Sequence, residues 1–341
     1  MEYSTNLPED LHDSYFDEIN SYVAGFVSLV ANILLIYATS KVQMYSDSVR
    51  RMQYYVCILR LIFSLTVVLT SPTLCYVASV KTLYIVKGSF FIPIPFGITA
   101  LLIFVTFVVI SCSSPAVQYV QVLQLLSDKS HLHERYGPFV LAFSLLSGIP
   151  ALILASIGYT PTIEEYMRSK DIVYWLNGEG ESAFLIIPLR TKSPNSKPWI
   201  IWVSKICTFY IMTIMILSVI VVVICFVKIQ LLMRKKMASS STTNKTKISA
   251  QKQLNVVLFV QFILPFLTIH IPFYISFILP IFDYENTFLS NNLPFLFSWC
   301  PAINPILVIV FVKNIRDRVI CPRSTSKVNS SNVIQIRNSK Y

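Results

Sequence analysis

Few side chains in this sequence could do acid–base, nucleophilic or metal chemistry inside its long apolar segments. The 341 residues include four histidines and 17 acidic residues, but only His270 lies within a long apolar run, and no Asp or Glu does. Hydrolysis inside a membrane needs a nucleophile with a base, or a metal cluster, at depth. The sequence therefore predicts a protein that is not an enzyme and has no metal site.

Two cations within the apolar runs are candidates for ligand contact, because an ionisable group inside a membrane is by default a functional one. Lys205 lies six residues into the fifth run (199–227), about 9 Å from its outer end at 1.5 Å per residue. Its ammonium could snorkel to the interface or contact a ligand. Arg60 lies about seven residues from the inner end of the second run, and we expect it to snorkel in a structural role.

Aromatic and imidazole groups offer a second kind of binding site. His270 lies between Pro265 and Pro272 in the sixth run, and Tyr274 shares its helix face. Trp299 in the seventh run lies at a similar depth. An aromatic-lined pocket suits a volatile or weakly polar ligand, whereas the alternatives are a hydrogen bond to a neighbouring helix for His270 and ordinary packing for the aromatic rings.

Seven apolar runs must position these residues, and each is long enough to cross a hydrocarbon core of about 30 Å as a helix. The sequence therefore predicts an all-α bundle of seven transmembrane helices, joined by loops without a separate soluble domain. The runs cover residues 19–40, 54–80, 90–126, 138–158, 199–227, 254–282 and 293–312.

The loops between the runs sort charge by side. With the N-terminus outside, the inner loops and tail carry 19 of the 28 Lys and Arg but 4 of the 17 acidic residues. Basic loops stay in the cytoplasm, so we expect an acidic extracellular tail at 1–18, a cytoplasmic tail at 313–341 and a multi-pass protein of the cell membrane. The net charge of +11 follows this rule, which favours anionic membrane lipid over nucleic acid as its partner.

Prolines interrupt the later runs. Pro301 and Pro305 each remove a backbone donor and bend the seventh helix, while Pro265 and Pro272 bend the sixth. Asn304 can satisfy a freed carbonyl, and Asn32 in the first run is a candidate partner, since polar side chains in lipid turn toward the bundle interior. We expect these bends to let the bundle switch between arrangements.

Basic residues also surround the inner ends of the fifth and seventh runs. Arg234, Lys235 and Lys236 follow the fifth run, where they could dock an intracellular partner or merely enforce topology. Apolar residues at helical spacing predict an amphipathic helix over 312–321 on the inner membrane face. Cys321 at its end is a candidate for palmitoylation.

The seven cysteines do not form a readable disulfide framework. Cys75 and Cys207 lie near the outer ends of the second and fifth runs, where an oxidising exterior would permit a bridge. Two packing thiols are the favoured alternative.

Two segments carry a family resemblance. The stretch Lys245–Leu254, continued by Gln261, Pro265 and Pro272, resembles the entry to helix six in nematode seven-transmembrane chemosensory receptors. Pro301-Ala302-Ile303-Asn304-Pro305, followed by Val308–Phe311 and Arg316, resembles their seventh helix. The superfamily contains the Str, Srh, Sri and Srd classes. Two features depart from it: Asn304 stands where many members have Asp, and Gln118–Gln121 replaces an aromatic-Arg-aromatic triplet.

The resemblance implies a G protein-coupled chemoreceptor that binds a small extracellular molecule, such as an odorant, and signals through a heterotrimeric G protein. It also implies olfaction and a place in the sensory cilium. The alternative from another class is a seven-helix ligand-gated ion channel or an orphan membrane carrier. Insect odorant-receptor channels place the N-terminus inside, opposite to the charge sorting found in this chain.

Overall fold

The computed structural model describes residues 14–41, 47–77, 82–88, 92–126, 142–177, 182–188, 198–238, 259–282, 284 and 287–320. These residues include nine longer helices, a 3-10 turn at Leu279–Phe282 and three strands. The helices are α1 (Ser14–Lys41), α2 (Asp47–Thr70), α3 (Ile94–Leu126), α4 (Ala142–Gly158), α5 (Ile163–Asn177), α6 (Pro198–Ala238), α7 (Phe259–Ile278), α8 (Thr287–Phe311) and α9 (Lys313–Ile320). The strands are β1 (Pro72–Val77), β2 (Thr82–Lys87) and β3 (Phe184–Pro188).

Six of these helices, α1, α2, α3, α6, α7 and α8, are each long and apolar enough to cross a membrane. A seventh segment is α4, which bends by 91° into α5 at a short break. The predicted bundle of membrane helices is therefore confirmed. We call its two ends the sheet end, where the strands lie, and the α9 end.

The helices pack both against neighbours in the chain and against helices distant in sequence. α1 packs against α2 and α8, and α3 packs against α2, α4 and α6. Small residues let backbones approach closely: a Cβ at Gly158 in α4 would lie 2.7 Å from the backbone nitrogen of Ser204 in α6. Without a hydrophobic drive in lipid, such close packing is what holds membrane helices together.

The second apolar run, expected to be helical over 54–80, is corrected by the structure. α2 ends at Thr70, and Ser71 adopts a left-handed φ of 36° with its N–H bonded to the Val67 carbonyl at 2.7 Å. The cause is Pro72, which disfavours the helical conformation of the residue before it and has no N–H to give to Val68. Pro72–Val77 of this run form β1, and residues 78–80 lie outside the described part.

The three strands form one antiparallel sheet in the order β1-β2-β3. Its inward face, which includes Leu74, Ile85 and Leu185, belongs to the same core as residues of the spanning helices. Its outward face is covered by α5: Tyr166 stacks on Phe184 with ring centroids 5.2 Å apart. The sheet is therefore a layer between the bundle and α5, and it covers the bundle interior at this end.

Cys75 and Cys207 do not form a disulfide. Cys207 is buried in α6, with its thiol directed at the Ala151 carbonyl of α4 at 4.0 Å. Cys75 lies in β1 with its thiol 3.9 Å from the Tyr76 carbonyl.

Lys87 ends the central strand with its side chain buried. Its backbone N–H donates to the Ala183 carbonyl at 2.9 Å. Burial lowers the pKa of the Lys87 ammonium from 10.5 to about 8, and the charge of Glu18 on α1 acts in the opposite direction. The buried ammonium therefore costs stability wherever it is protonated.

We predict that Lys87→Met stabilises the protein at pH 7.5 and that the gain shrinks as pH rises. Between pH 8 and 10.5 the unfolded chain keeps a proton that the folded chain has released, so the free energy of unfolding of the wild type rises with pH across that window. Thermal unfolding of both proteins from pH 7 to 10 measures the gap. The exposed Lys170→Met should follow the wild type, and a gap independent of pH would contradict the prediction.

Candidate functional site

The interior beneath the sheet is lined by aromatic residues from several helices. Phe104 of α3 lies between Phe63 of α2 and Phe297 of α8, with ring centroids 6.1 and 5.6 Å apart. Phe273 and Phe277 of α7 complete the core and pack on each other at 4.6 Å. This gives the sheet end of the bundle an apolar, aromatic interior.

The middle of α7 departs from α-helical geometry. Phe266–His270 form a π-helical turn in which the Ile271 N–H bonds to the Phe266 carbonyl. Pro265 precedes this turn and Pro272 follows it, and neither has an N–H for the usual ladder. π-turns of this kind are frequent at functional sites.

His270 ends this turn and faces the interior, with 1% of its surface exposed. Its Nδ1 lies 3.4 Å from the hydroxyl of Tyr274, which is half-buried against the same core. Their side chains therefore meet one turn apart on α7, as the spacing predicts. Together they offer a ring nitrogen and a hydroxyl within otherwise apolar surroundings.

Three helices converge on one backbone carbonyl beside His270. Ser218 of α6 donates to the Cys112 carbonyl of α3 at 2.6 Å. The His270 ring also lies near the Cys112 backbone. Pro115, three residues further along α3, removes a donor from this part of the helix. Sequence reasoning missed Ser218 and Cys112, although the proline marked an irregular turn.

Trp299 and Lys205 lie elsewhere. The Trp299 indole N–H donates to the Asn20 amide oxygen of α1 at 2.8 Å, so this residue joins α8 to α1. The Lys205 side chain is exposed on α6, with its ammonium 5.5 Å from the ring centre of Trp202. The structure thus brings His270 and Tyr274 together, whereas Trp299 and Lys205 make other contacts.

A side chain of α1 replaces a hydrogen-bond donor that α8 lacks. Pro305 has no N–H, so the Pro301 carbonyl loses the donor it would have in an α-helix. The Asn32 amide donates to that carbonyl at 3.3 Å and to the Ser28 carbonyl at 2.8 Å. The partner of Asn32 in α8 is therefore this carbonyl, while the Asn304 amide oxygen is buried without a hydrogen bond among the described residues.

A serine cluster also joins α1 to its neighbours near the sheet end. The Ser21 hydroxyl oxygen lies 3.1 Å from that of Ser298 and 3.2 Å from that of Ser71. Small hydroxyl groups within apolar runs carry no distinctive signal, so sequence reasoning did not single them out.

The α9 end carries the basic residues. Arg234 and Lys235 are exposed at the end of α6, and Lys236 belongs to the same helix, with a side chain outside the described part. Val312 and Ile315 are buried against α1, so the amphipathic helix expected after the seventh run is confirmed. Cys321 lies outside the described residues.

An aromatic cluster joins three helices nearer the α9 end. Tyr119 of α3 packs against Phe226 of α6 and Phe262 of α7 at 6.4 and 6.3 Å. Its hydroxyl and the Gln261 amide nitrogen are buried without hydrogen-bond partners in the described parts of the chain.

The overall fold is that of a rhodopsin. The crystal structure of squid rhodopsin matches with a TM-score of 0.60 at 14% identity, covering 91% of this chain and 85% of that one. No curated protein matches the sequence.

The family profile described as "Serpentine type 7TM GPCR chemoreceptor Str" matches residues 17–320. The chain therefore belongs to the Str family of serpentine chemoreceptors, and it is a multi-pass membrane protein of the receptor type. The resemblance found in the sequence is confirmed, and Str is the matching class.

We predict that Asn32→Ala destabilises the bundle by about 1–2 kcal/mol, because the Pro301 carbonyl would be left without a partner in the membrane. Thr39→Val on the same helix is the matched control, since the Thr39 hydroxyl is buried without a hydrogen bond in the described residues. Denaturant-induced unfolding in lipid nanodiscs measures both variants. Equal stability of Asn32→Ala and the wild type would show that this repair is dispensable.

Proposed function

We propose that this chain is a chemosensory G protein-coupled receptor with its sheet end outside the cell. It binds a small, weakly polar molecule, such as an odorant, in the interior beneath the sheet and activates a heterotrimeric G protein at its α9 end. The observation that carries the proposal is the buried His270–Tyr274 pair on the irregular turn of α7, in a chain of this family.

The chemistry of the interior supports the proposed ligand class. Aromatic rings supply most of the surface, and His270 and Tyr274 supply one compact polar spot. Such a site favours a ligand with a large apolar part and a single hydrogen-bonding group. A cationic ligand is disfavoured, because none of the chain's acidic residues lies in an apolar run.

Transmission is proposed to run along α7. His270 ends the π-turn, and the same helix carries Phe262 against Tyr119 of α3. A ligand that binds more tightly to one arrangement of α7 shifts the population toward it by that difference in affinity. Moving α7 would open the cluster around Tyr119 at the α9 end.

The coupling surface is proposed to include Arg234, Lys235 and Lys236. Arg234 and Lys235 are exposed beyond the apolar part of α6. Anionic lipid at the inner leaflet and acidic groups on a G protein would both be attracted there. The sensory cilium is the proposed location, and palmitoylation of Cys321 would add a membrane anchor.

The proposal is tested with purified receptor in nanodiscs, by measuring nucleotide exchange on a heterotrimeric G protein during a screen of small volatile molecules. A ligand that accelerates exchange supports the proposal. Ligand-evoked current in bilayers without G protein, together with unchanged nucleotide exchange, would establish a channel instead.

We predict that His270→Ala and Tyr274→Phe each raise the ligand concentration needed for half-maximal exchange by about tenfold, the loss of roughly one hydrogen bond. Lys205→Met is the control: it removes the other ionisable candidate for ligand contact, and its dose response should match the wild type. Wild-type dose responses for both interior variants would remove this pair from the site.

We predict that replacing Arg234, Lys235 and Lys236 with Ala lowers G protein activation while leaving ligand binding intact. The paired control replaces Arg168 and Lys170, two exposed basic residues of α5 at the sheet end. The three basic residues also help to set the orientation of the protein in the membrane. An N-terminal tag must therefore be shown to remain extracellular in both variants. Full activation by the triple variant in the correct orientation would restrict the triplet to a topological role.

A further inference from the structure

Arg60 lies deep in the membrane-spanning part of α2 with part of its guanidinium unsatisfied. It lies ten residues from Arg50, where the apolar part of the helix begins, a rise of about 15 Å. Part of its side chain is accessible, but Nη1 is buried and has no hydrogen-bond partner among the described residues. From the sequence we expect Arg60 to snorkel, which would place its guanidinium in contact with water and headgroups. The structure instead buries Nη1 within the protein.

Among the described residues, no carboxylate lies at this depth as a counter-charge. The guanidinium lies near the thiols of Cys57 and Cys300, and thiols are neutral at pH 7 by their ordinary chemistry. None of the 17 acidic residues lies in an apolar run. A guanidinium stays protonated in proteins, so a full positive charge remains in the bundle.

An unpaired charge in hydrocarbon is strongly unfavourable, so a further group must compensate the guanidinium. A lipid headgroup lies too far away along the helix. A small monovalent anion costs less to desolvate than a phosphate. Unsatisfied buried groups of this kind commonly mark an ion or a water molecule.

We propose that Arg60 binds an inorganic anion, chloride under physiological conditions, between α2 and α8. The anion accepts from Arg60 Nη1 beside Cys57 and Cys300. Cys300 immediately precedes Pro301, whose carbonyl is held by Asn32. The bound anion therefore links α2 to the interrupted part of α8 and stabilises this arrangement of the bundle. The site requires neither the proposed ligand nor a G protein.

The experiment follows thermal unfolding of the purified full chain in nanodiscs while chloride replaces gluconate at constant sodium concentration. The wild-type midpoint should rise by a few degrees and saturate with chloride, because a ligand that binds only the folded state stabilises it by mass action. Bromide should act in the same way. Arg60→Gln should lose at least about tenfold in apparent chloride affinity, since it removes a charge-assisted donor.

Lys205→Gln is the matched control, because Lys205 is the other cation within an apolar run and its side chain is exposed. It should keep the wild-type chloride dependence. A wild-type midpoint that is equal in chloride and gluconate would overturn the proposal and indicate water as the occupant. Chloride dependence retained in full by Arg60→Gln would also overturn it. If Arg60→Gln does not fold, broadening of the ³⁵Cl resonance by the wild type, reversed by bromide, supplies the decisive comparison, and its absence overturns the site.

Discussion

The architecture depends on one constraint: a backbone N–H or C=O in the hydrocarbon core must find its partner within the protein. Long helices meet this requirement, and the chain departs from them only where another group takes over. The Ile271 N–H bonds to Phe266 across the π-turn of α7. The Asn32 amide reaches the Pro301 carbonyl that Pro305 leaves without a donor. The described strands lie at the sheet end, where they pair with one another between the bundle and α5.

These interruptions of regular helical hydrogen bonding coincide with the segments that are proposed to bind the ligand and to change conformation. A regular helix has one favourable pattern of backbone hydrogen bonds. A helix that proline already interrupts has fewer of these bonds to lose when its local geometry changes. His270 lies in the interrupted part of α7, and the Asn32 contact lies in that of α8. The two intramembrane cations also differ: Lys205 is exposed beside Trp202, whereas Arg60 remains inside the bundle with a buried Nη1.

The sequence predicted the membrane helices but neither the sheet nor the direction in which many side chains point. Hydrophobic length located the membrane helices, and the resemblance at helices six and seven identified the family. β1 was missed because residues 72–80 are apolar enough to extend a span, although the Ser71-Pro72 step was a readable helix stop. β2 and β3 lie outside the apolar runs, in stretches that were expected to be loops. Depth counting placed Trp299 near His270, but the rotation of α8 turns its indole toward Asn20. The sequence predicted that Asn32 contacts the proline-containing part of the seventh helix. It did not predict the acceptor, the Pro301 carbonyl, because that depends on which carbonyl loses its donor.

The most direct test of the account is the distance between α6 and α7 at the α9 end. Spin labels attached through noncanonical amino acids at the exposed positions Leu231 and Phe259 avoid the native cysteines, and pulsed electron resonance in nanodiscs reports their separation. The account predicts a longer distance when an activating ligand and nucleotide-free G protein are both bound. The same distance distribution in the free and the signalling receptor would contradict the proposed movement of α7.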